Sequence, residues 1–163
     1  IGPAGLCIVI VRRDLLGRAR ENIPDMLNWK IAAKNDAMYN TPPTFGIYLA
    51  GLVFEWLESL GGLDAMYAIN KRKAQTLYKV IDDSEFYANP VDPQCRSLMN
   101  VPFTLADATL DKAFLEQAEE AQLLNLKGHR SVGGMRASIY NAVEQASVDA
   151  LCEFMHRFEK ENG

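Results

Sequence analysis

Three cationic side chains, His129, Arg130 and Arg136, fall within eight residues of the segment LKGHRSVGGMRASIYN, residues 126–141. Gly128, Gly133 and Gly134 space them, and the segment carries no carboxylate. A guanidinium presents a planar fork that takes a carboxylate through two parallel hydrogen bonds, so Arg136 suits a carboxylate. A His-Arg pair on a glycine-flanked turn suits a dianionic phosphate, beside which the imidazole protonates more readily. The chemistry expected of this segment is recognition of a small anion with a phosphate at one end and a carboxylate at the other. The competing reading is a solvated loop whose cations pair with Asp or Glu elsewhere.

A second stretch, NTPPTF, places Asn40 and Thr41 ahead of a helical pattern. Backbone N–H groups at a helix start attract phosphate, and Asn and Thr add neutral donors. The plainer alternative is ordinary capping, with Thr41 as N-cap and Pro42 in the first helical position. Tyr39, Trp29 and Trp56 could stack on a ring, although packing explains each as well. Lys71, Arg72 and Lys73 form a charge run expected to be a solvated helix face. No Ser-His-Asp arrangement, paired carboxylates or Walker-type loop occurs in the sequence.

These residues must be held by regular elements. Leu6 to Val11 is an unbroken apolar run with β-branching, which predicts a strand buried on both faces. Phe45, Tyr48, Leu49, Leu52, Val53, Trp56, Leu57 and Leu60 repeat at helical spacing, and Gly61-Gly62 stops that helix. A second helix begins at Asp64 with Leu63, Met66, Tyr67, Asn70, Ala74, Leu77, Tyr78 and Ile81 in one stripe. Met99, Val101, Phe103 and Leu105 alternate as a strand. Residues 110–122 read as a helix, Leu123 to Leu126 as a short strand, and Met135 to Tyr140 as another. Ser147 is expected to cap a final helix with Val148, Leu151, Met155 and Phe158 inward. The order predicts a small α/β layer sandwich, with a domain boundary between residues 60 and 90.

The chain has 163 residues, 48% of them hydrophobic and 23% charged, with a net charge of −4. That composition fits a soluble globular protein. The acidic balance argues against nucleic acid as the partner, and no apolar run is long enough to cross a bilayer. Cys7, Cys95 and Cys152 are odd in number and far apart, which excludes a disulfide framework and disfavours a zinc site. Idle thiols in a reducing cytoplasm are expected. The start at Ile1, directly before a turn and an apolar run, suggests part of a longer chain.

Taken together, IGPAGLCIVIVRRDLLG, NTPPTFGIYLAGLVFEWL, MNVPF and LKGHRSVGGMRASIYNA resemble the phosphoserine aminotransferase family, in order and across essentially the whole chain. Only residues 84–97 and 142–149 match weakly and read as variable surface. The family belongs to the class V, fold-type I aminotransferases that use pyridoxal 5′-phosphate. The resemblance implies an α/β fold made of the end of the large-domain sheet, a long interdomain helix and a small α/β sandwich domain. It places the large domain in residues 1–62 and the interdomain helix and small domain in 63–163. It implies that Asn40 and Thr41 bind the cofactor phosphate of a partner subunit, that His129 and Arg130 bind the substrate phosphate across the interface, and that Arg136 binds the substrate carboxylate. A homodimer with composite sites follows, exchanging an amino group between L-glutamate and 3-phosphohydroxypyruvate in serine biosynthesis, with a related phosphorylated substrate in pyridoxal-phosphate synthesis. The family's Schiff-base lysine lies just before the Ile-Gly-Pro-Ala-Gly segment, so no catalytic residue is expected in this chain, and the isolated chain is expected to be inactive. Alternatives are another class V enzyme, of which a cysteine desulfurase would need a reactive loop cysteine, and a non-catalytic binding or assembly fragment.

Overall fold

Two consecutive prolines decide where the first long helix begins. The computed structural model describes residues 2–163. Its helix α2 spans Thr44–Ser59 with Pro43 as N-cap, and no side chain caps it. A residue that precedes proline is driven out of the helical region. Both Thr41 and Pro42 precede a proline, so neither can open the helix, and the expected start at Pro42 moves to Thr44. Asn40 and Thr41 are left exposed in the approach to the helix.

The chain divides into two compact units, Ile1–Leu60 and Gly61–Gly163. The first holds α2 and the short helix α1, Trp29–Lys34, whose N-cap Asn28 accepts a hydrogen bond from the Lys30 amide. Two short 3-10 turns precede α1. The strand expected at Leu6 to Val11 is not formed: residues 6–11 carry no strand pairing, and Ile8, Val9 and Ile10 are exposed. A strand exists only through a hydrogen-bonded neighbour, and among the described residues this unit contains no other strand to supply one.

The second unit is a two-layer sandwich. Helix α3, Gly62–Asp82, packs against α5, Gln145–Asn162, and also meets the sheet. Strands β1 (Tyr87–Ala88), β2 (Asn100–Leu105) and β3 (Met135–Ser138) form an antiparallel sheet in that order. Helix α4, Asp111–Glu120, joins β2 to β3 through a loop. Alternation along each strand divides the sheet into two faces. Tyr87, Val101, Phe103, Leu105, Met135 and Ala137 are buried on the inner face. Asn100, Pro102, Thr104, Arg136 and Ser138 share the outer face, with Arg136 opposite Pro102 and Ser138 opposite Asn100. Inside, Phe103, Phe114, Phe154 and Phe158 meet edge to face around Phe114, at centroid separations of 5.0–5.8 Å, a geometry favoured by the ring quadrupole.

Several expectations shift here. Phe86 and Tyr87 are core residues, although residues 84–97 read as variable surface. The α5 helix starts at Gln145, so Ser147 lies inside its first turn and Glu144 is the N-cap. Residues 123–126 form no strand. Instead α4 ends with Gln122 at φ 63°, the Gln122 amide bonding Glu119 and the Leu123 amide bonding Ala118, a Schellman closure. Leu63 and Tyr67, assigned to the buried stripe of α3, are exposed. Lys73, assigned to the solvated charge run, is fully buried. Its spacing from Met66, Asn70 and Leu77 puts it on the buried stripe, which the flanking Lys71 and Arg72 obscured.

Cys152 lies in this core, and burial, helped by the nearby Asp149 and Glu153 charges, pushes its thiol up to about 11. At pH 8 only about one such thiol in a thousand is ionised. Iodoacetamide should therefore label the exposed Cys95 at least ~100-fold faster than Cys152 in the folded protein. Equal rates, read by peptide mass spectrometry, would show that the core is open.

Candidate functional site

Residues 126–136 fold as a closed loop on the edge strand β3. The Gly128 amide donates to the Gly134 carbonyl at 2.9 Å and the Arg136 amide to the Leu126 carbonyl at 2.7 Å, while Lys127 pairs with Met135. The two arms cross so tightly that a Cβ on Gly128 would lie 2.1 Å from the Gly133 oxygen. A Cβ on Gly134 would lie 2.7 Å from the Phe103 oxygen, and its φ of 59° is left-handed. Only glycine fits such contacts. Glycine here makes a lock, where the sequence suggested a jointed turn.

The locked arms present the tip. The Val132 and Gly133 amides both donate to the His129 carbonyl at 2.9 Å, closing the turn. His129 and Arg130 are exposed there. His129 Nδ1 lies 2.8 Å from Ser131 Oγ and 3.3 Å from the Ser131 amide nitrogen. A backbone N–H can only donate, so we assign Nδ1 as the acceptor, which leaves the proton on Nε2 free to meet an anion. Ser131 thus orients the imidazole, a role that reading the segment for charge alone passes over. The signal was present: a hydroxyl residue two positions after a histidine can bond back to it.

Arg136 is presented differently. It is exposed on the outer face of the sheet, between buried Met135 and Ala137. On the same face Asn100 Oδ1 accepts from Ser138 Oγ at 3.2 Å and from the Tyr140 hydroxyl at 3.3 Å. Among the described residues neither Arg130 nor Arg136 takes part in an ion pair. The pairs formed are Arg12–Asp14, Lys79–Asp83, Arg96–Asp82 and Lys112–Glu116. Of the competing reading, a solvated loop with salt bridges elsewhere, the solvated loop is seen and the salt bridges are not formed among the described residues.

The structure does not gather the three cations into one cavity. His129 and Arg130 border an open cleft of about 810 Å³ against α4, with Asp111, Leu115 and Glu119 on its other wall. Arg136 borders a smaller cavity of about 340 Å³ with Leu123, Asn125 and Ser147. Burial and the nearby Asp107 charge raise the Asp111 carboxyl above the usual range. Asn40 and Thr41 lie in the first unit, exposed, and their side chains make no hydrogen bond among the described residues. Tyr39 beside them donates its hydroxyl to Asp25 at 2.5 Å, so its hydroxyl ties this approach segment to the 3-10 turn around Asp25.

Comparison with known proteins adds a family. A model of the class-V aminotransferases matches residues 1–151. A phosphoserine aminotransferase from Hahella chejuensis is 65% identical over 99% of this chain and 45% of its own length. A solved phosphoserine aminotransferase, studied for radiation damage of its Schiff base, superposes with a TM-score of 0.93 at 45% identity, over 98% of this chain and 45% of that one. A pyridoxal-phosphate-bound phosphoserine aminotransferase from Trichomonas vaginalis gives a TM-score of 0.83 at 44% identity, over 90% of this chain and 42% of that one. The chain therefore spans less than half the length of the relatives it matches.

The glycine lock carries a direct test. Gly128→Ala should lower stability in urea by about 1–3 kcal/mol, the cost of an overpacked contact, and release the His129–Ser131 turn, visible as loss of amide protection at Val132 and Gly133. An unchanged urea midpoint would show that the arms do not cross as closely as described.

Proposed function

We propose, for a chain that belongs to the class-V aminotransferase family, the substrate-reading part of a phosphoserine transaminase. The reaction of the whole protein would be 3-phosphohydroxypyruvate plus L-glutamate giving O-phospho-L-serine and 2-oxoglutarate. One observation carries this reading: His129, Arg130 and Arg136 are exposed on a locked loop and its strand, and both guanidiniums are free of internal ion pairs among the described residues. Arg136 would take the carboxylate common to both amino acids as a bidentate pair. His129 and Arg130 would take the phosphate of one and the side-chain carboxylate of the other.

The cofactor of the family is pyridoxal 5′-phosphate, and the residues present suit its phosphate. Asn40 and Thr41 offer side-chain donors without internal partners among the described residues, two prolines ahead of a helix of sixteen residues. When bound, the group supplies an electron sink for charge developed at the substrate α-carbon. The residues of this chain bind and orient. No lysine among the described residues is assigned the catalytic amine: Lys73, the buried one, is fully occupied by backbone carbonyls. The exposed Ile8, Val9 and Ile10 suit a strand completed by neighbours in the whole protein. We further propose a homodimer in which Asn40, Thr41, His129 and Arg130 serve the partner's site.

Arg136→Lys keeps the charge and loses the fork. It should weaken glutamate and phosphoserine alike, by about 1.5–3 kcal/mol in kcat/KM. Arg130→Ala should cost the phosphorylated substrate far more than an amino donor lacking an anionic side chain, and equal losses would refute the phosphate assignment. Composite sites have their own test. A hybrid dimer pairing an Arg130→Ala subunit with one lacking the Schiff-base lysine should regain one competent site from two inactive parents. An inactive hybrid would place the phosphate grip within a single subunit.

A further inference from the structure

Lys73 carries a charge into the core without an acid to meet it. Its side chain is fully buried, and among the described residues no carboxylate pairs with it. The ammonium instead donates to three carbonyl oxygens, those of Tyr140 at 2.7 Å, Val143 at 2.8 Å and Ile139 at 3.3 Å. One turn earlier on α3, Asn70 Nδ2 donates to Asn141 Oδ1 at 2.8 Å. All four acceptors belong to residues 139–143, the segment that leaves β3. Burial holds the Lys73 pKa below the ordinary lysine value, so the fold bears a cost that an apolar side chain of similar volume would avoid.

The place where this cost is borne is informative. The backbone of Arg136 is paired on two sides, by its amide bond to Leu126 and by its register with Pro102 across the sheet, but its strand ends at Ser138. The ladder's last bond is the Ile139 amide to the Met99 carbonyl at 2.8 Å. From there the Ile139 and Tyr140 carbonyls turn to Lys73, and the Tyr140 hydroxyl returns to Asn100 on the face that carries Arg136. Lys73 therefore takes over from the sheet where its pairing stops, three residues beyond Arg136. A forked donor discriminates only when held within roughly 10–20° of its productive direction.

We propose that Lys73 is a positioning residue for Arg136: its ammonium gathers the three carbonyls at the exit of β3, and so sets the direction in which Arg136 leaves the sheet. The inference rests on the reading of Arg136 as the carboxylate binder.

The test uses the whole protein, with wild type, Lys73→Met and a core control, Val80→Ala, on the same helix. Assays run below the melting temperature of every variant. Lys73→Met should raise KM for glutamate roughly five- to tenfold with kcat nearly kept, whereas Val80→Ala loses stability and keeps KM. An unchanged KM in Lys73→Met, or an equal rise in the control, would make Lys73 merely structural and overturn the proposal. If Lys73→Met does not fold, Asn70→Ala removes only the flanking tie and should show the same split at roughly twofold. No rise there would also overturn it. A wild type inactive toward glutamate would sink the functional reading itself, a separate failure from a variant that matches an active wild type.

Discussion

The crossing of the two arms at Gly128 and Gly134 is the constraint on which the site depends. A backbone amide and a backbone carbonyl meet at 2.9 Å where any Cβ would collide. That contact turns a mobile-looking stretch into a short rigid span with a turn at one end and an edge strand at the other. The imidazole and one guanidinium stand on the turn, and the second guanidinium stands on the strand. Because the span is closed by backbone bonds, the separation of the turn that carries His129 and Arg130 from the strand position of Arg136 is a property of the backbone. Long side chains alone would not hold it.

The remainder of the second unit works to keep that span in place. The aromatic cluster around Phe114 sets α4 and α5 beneath the sheet. The Schellman closure at Gln122 aims the chain from α4 into the first arm of the loop. At the far end, Arg96 lies over the Tyr78 ring at 4.6 Å and clasps Asp82 with two hydrogen bonds, tying the long connection before β2 to the end of α3. Within the second unit, no described element covers the outer face of the sheet, and it is there that Arg136 and the Asn100–Ser138–Tyr140 group stand. A sheet with one face solvated is ordinary for antiparallel strands.

The first unit shows the opposite balance. It has helices but no strand among its described residues, and its apolar side chains Ile10, Phe45 and Tyr48 remain exposed. It also carries a short polar stretch, Asn40 and Thr41, steered by two prolines and held near the 3-10 turn at Asp25 by the Tyr39–Asp25 bond. The proline pair keeps these donors out of the helix, so they are not spent on capping it.

Periodicity was enough for the existence, though not the ends, of the helices expected from Asp64, over 110–122 and from Ser147, and of the strand alternating from Met99 to Leu105, because each buries one face and that face is written into the spacing of apolar residues. The charges of His129, Arg130 and Arg136, and the glycines between them, were equally plain. What the chain order could not convey was partnership. Whether residues 6–11 pair, whether 123–126 extend a sheet, and whether Lys73 faces solvent all turn on groups distant in sequence. A strand needs a neighbour, and a buried ammonium needs acceptors, which here come from carbonyls more than sixty residues away. Local spacing fixes which side of an element is apolar. Only the packed fold decides what lies against that side, because hydrogen bonds and close contacts are made between segments that sequence keeps apart.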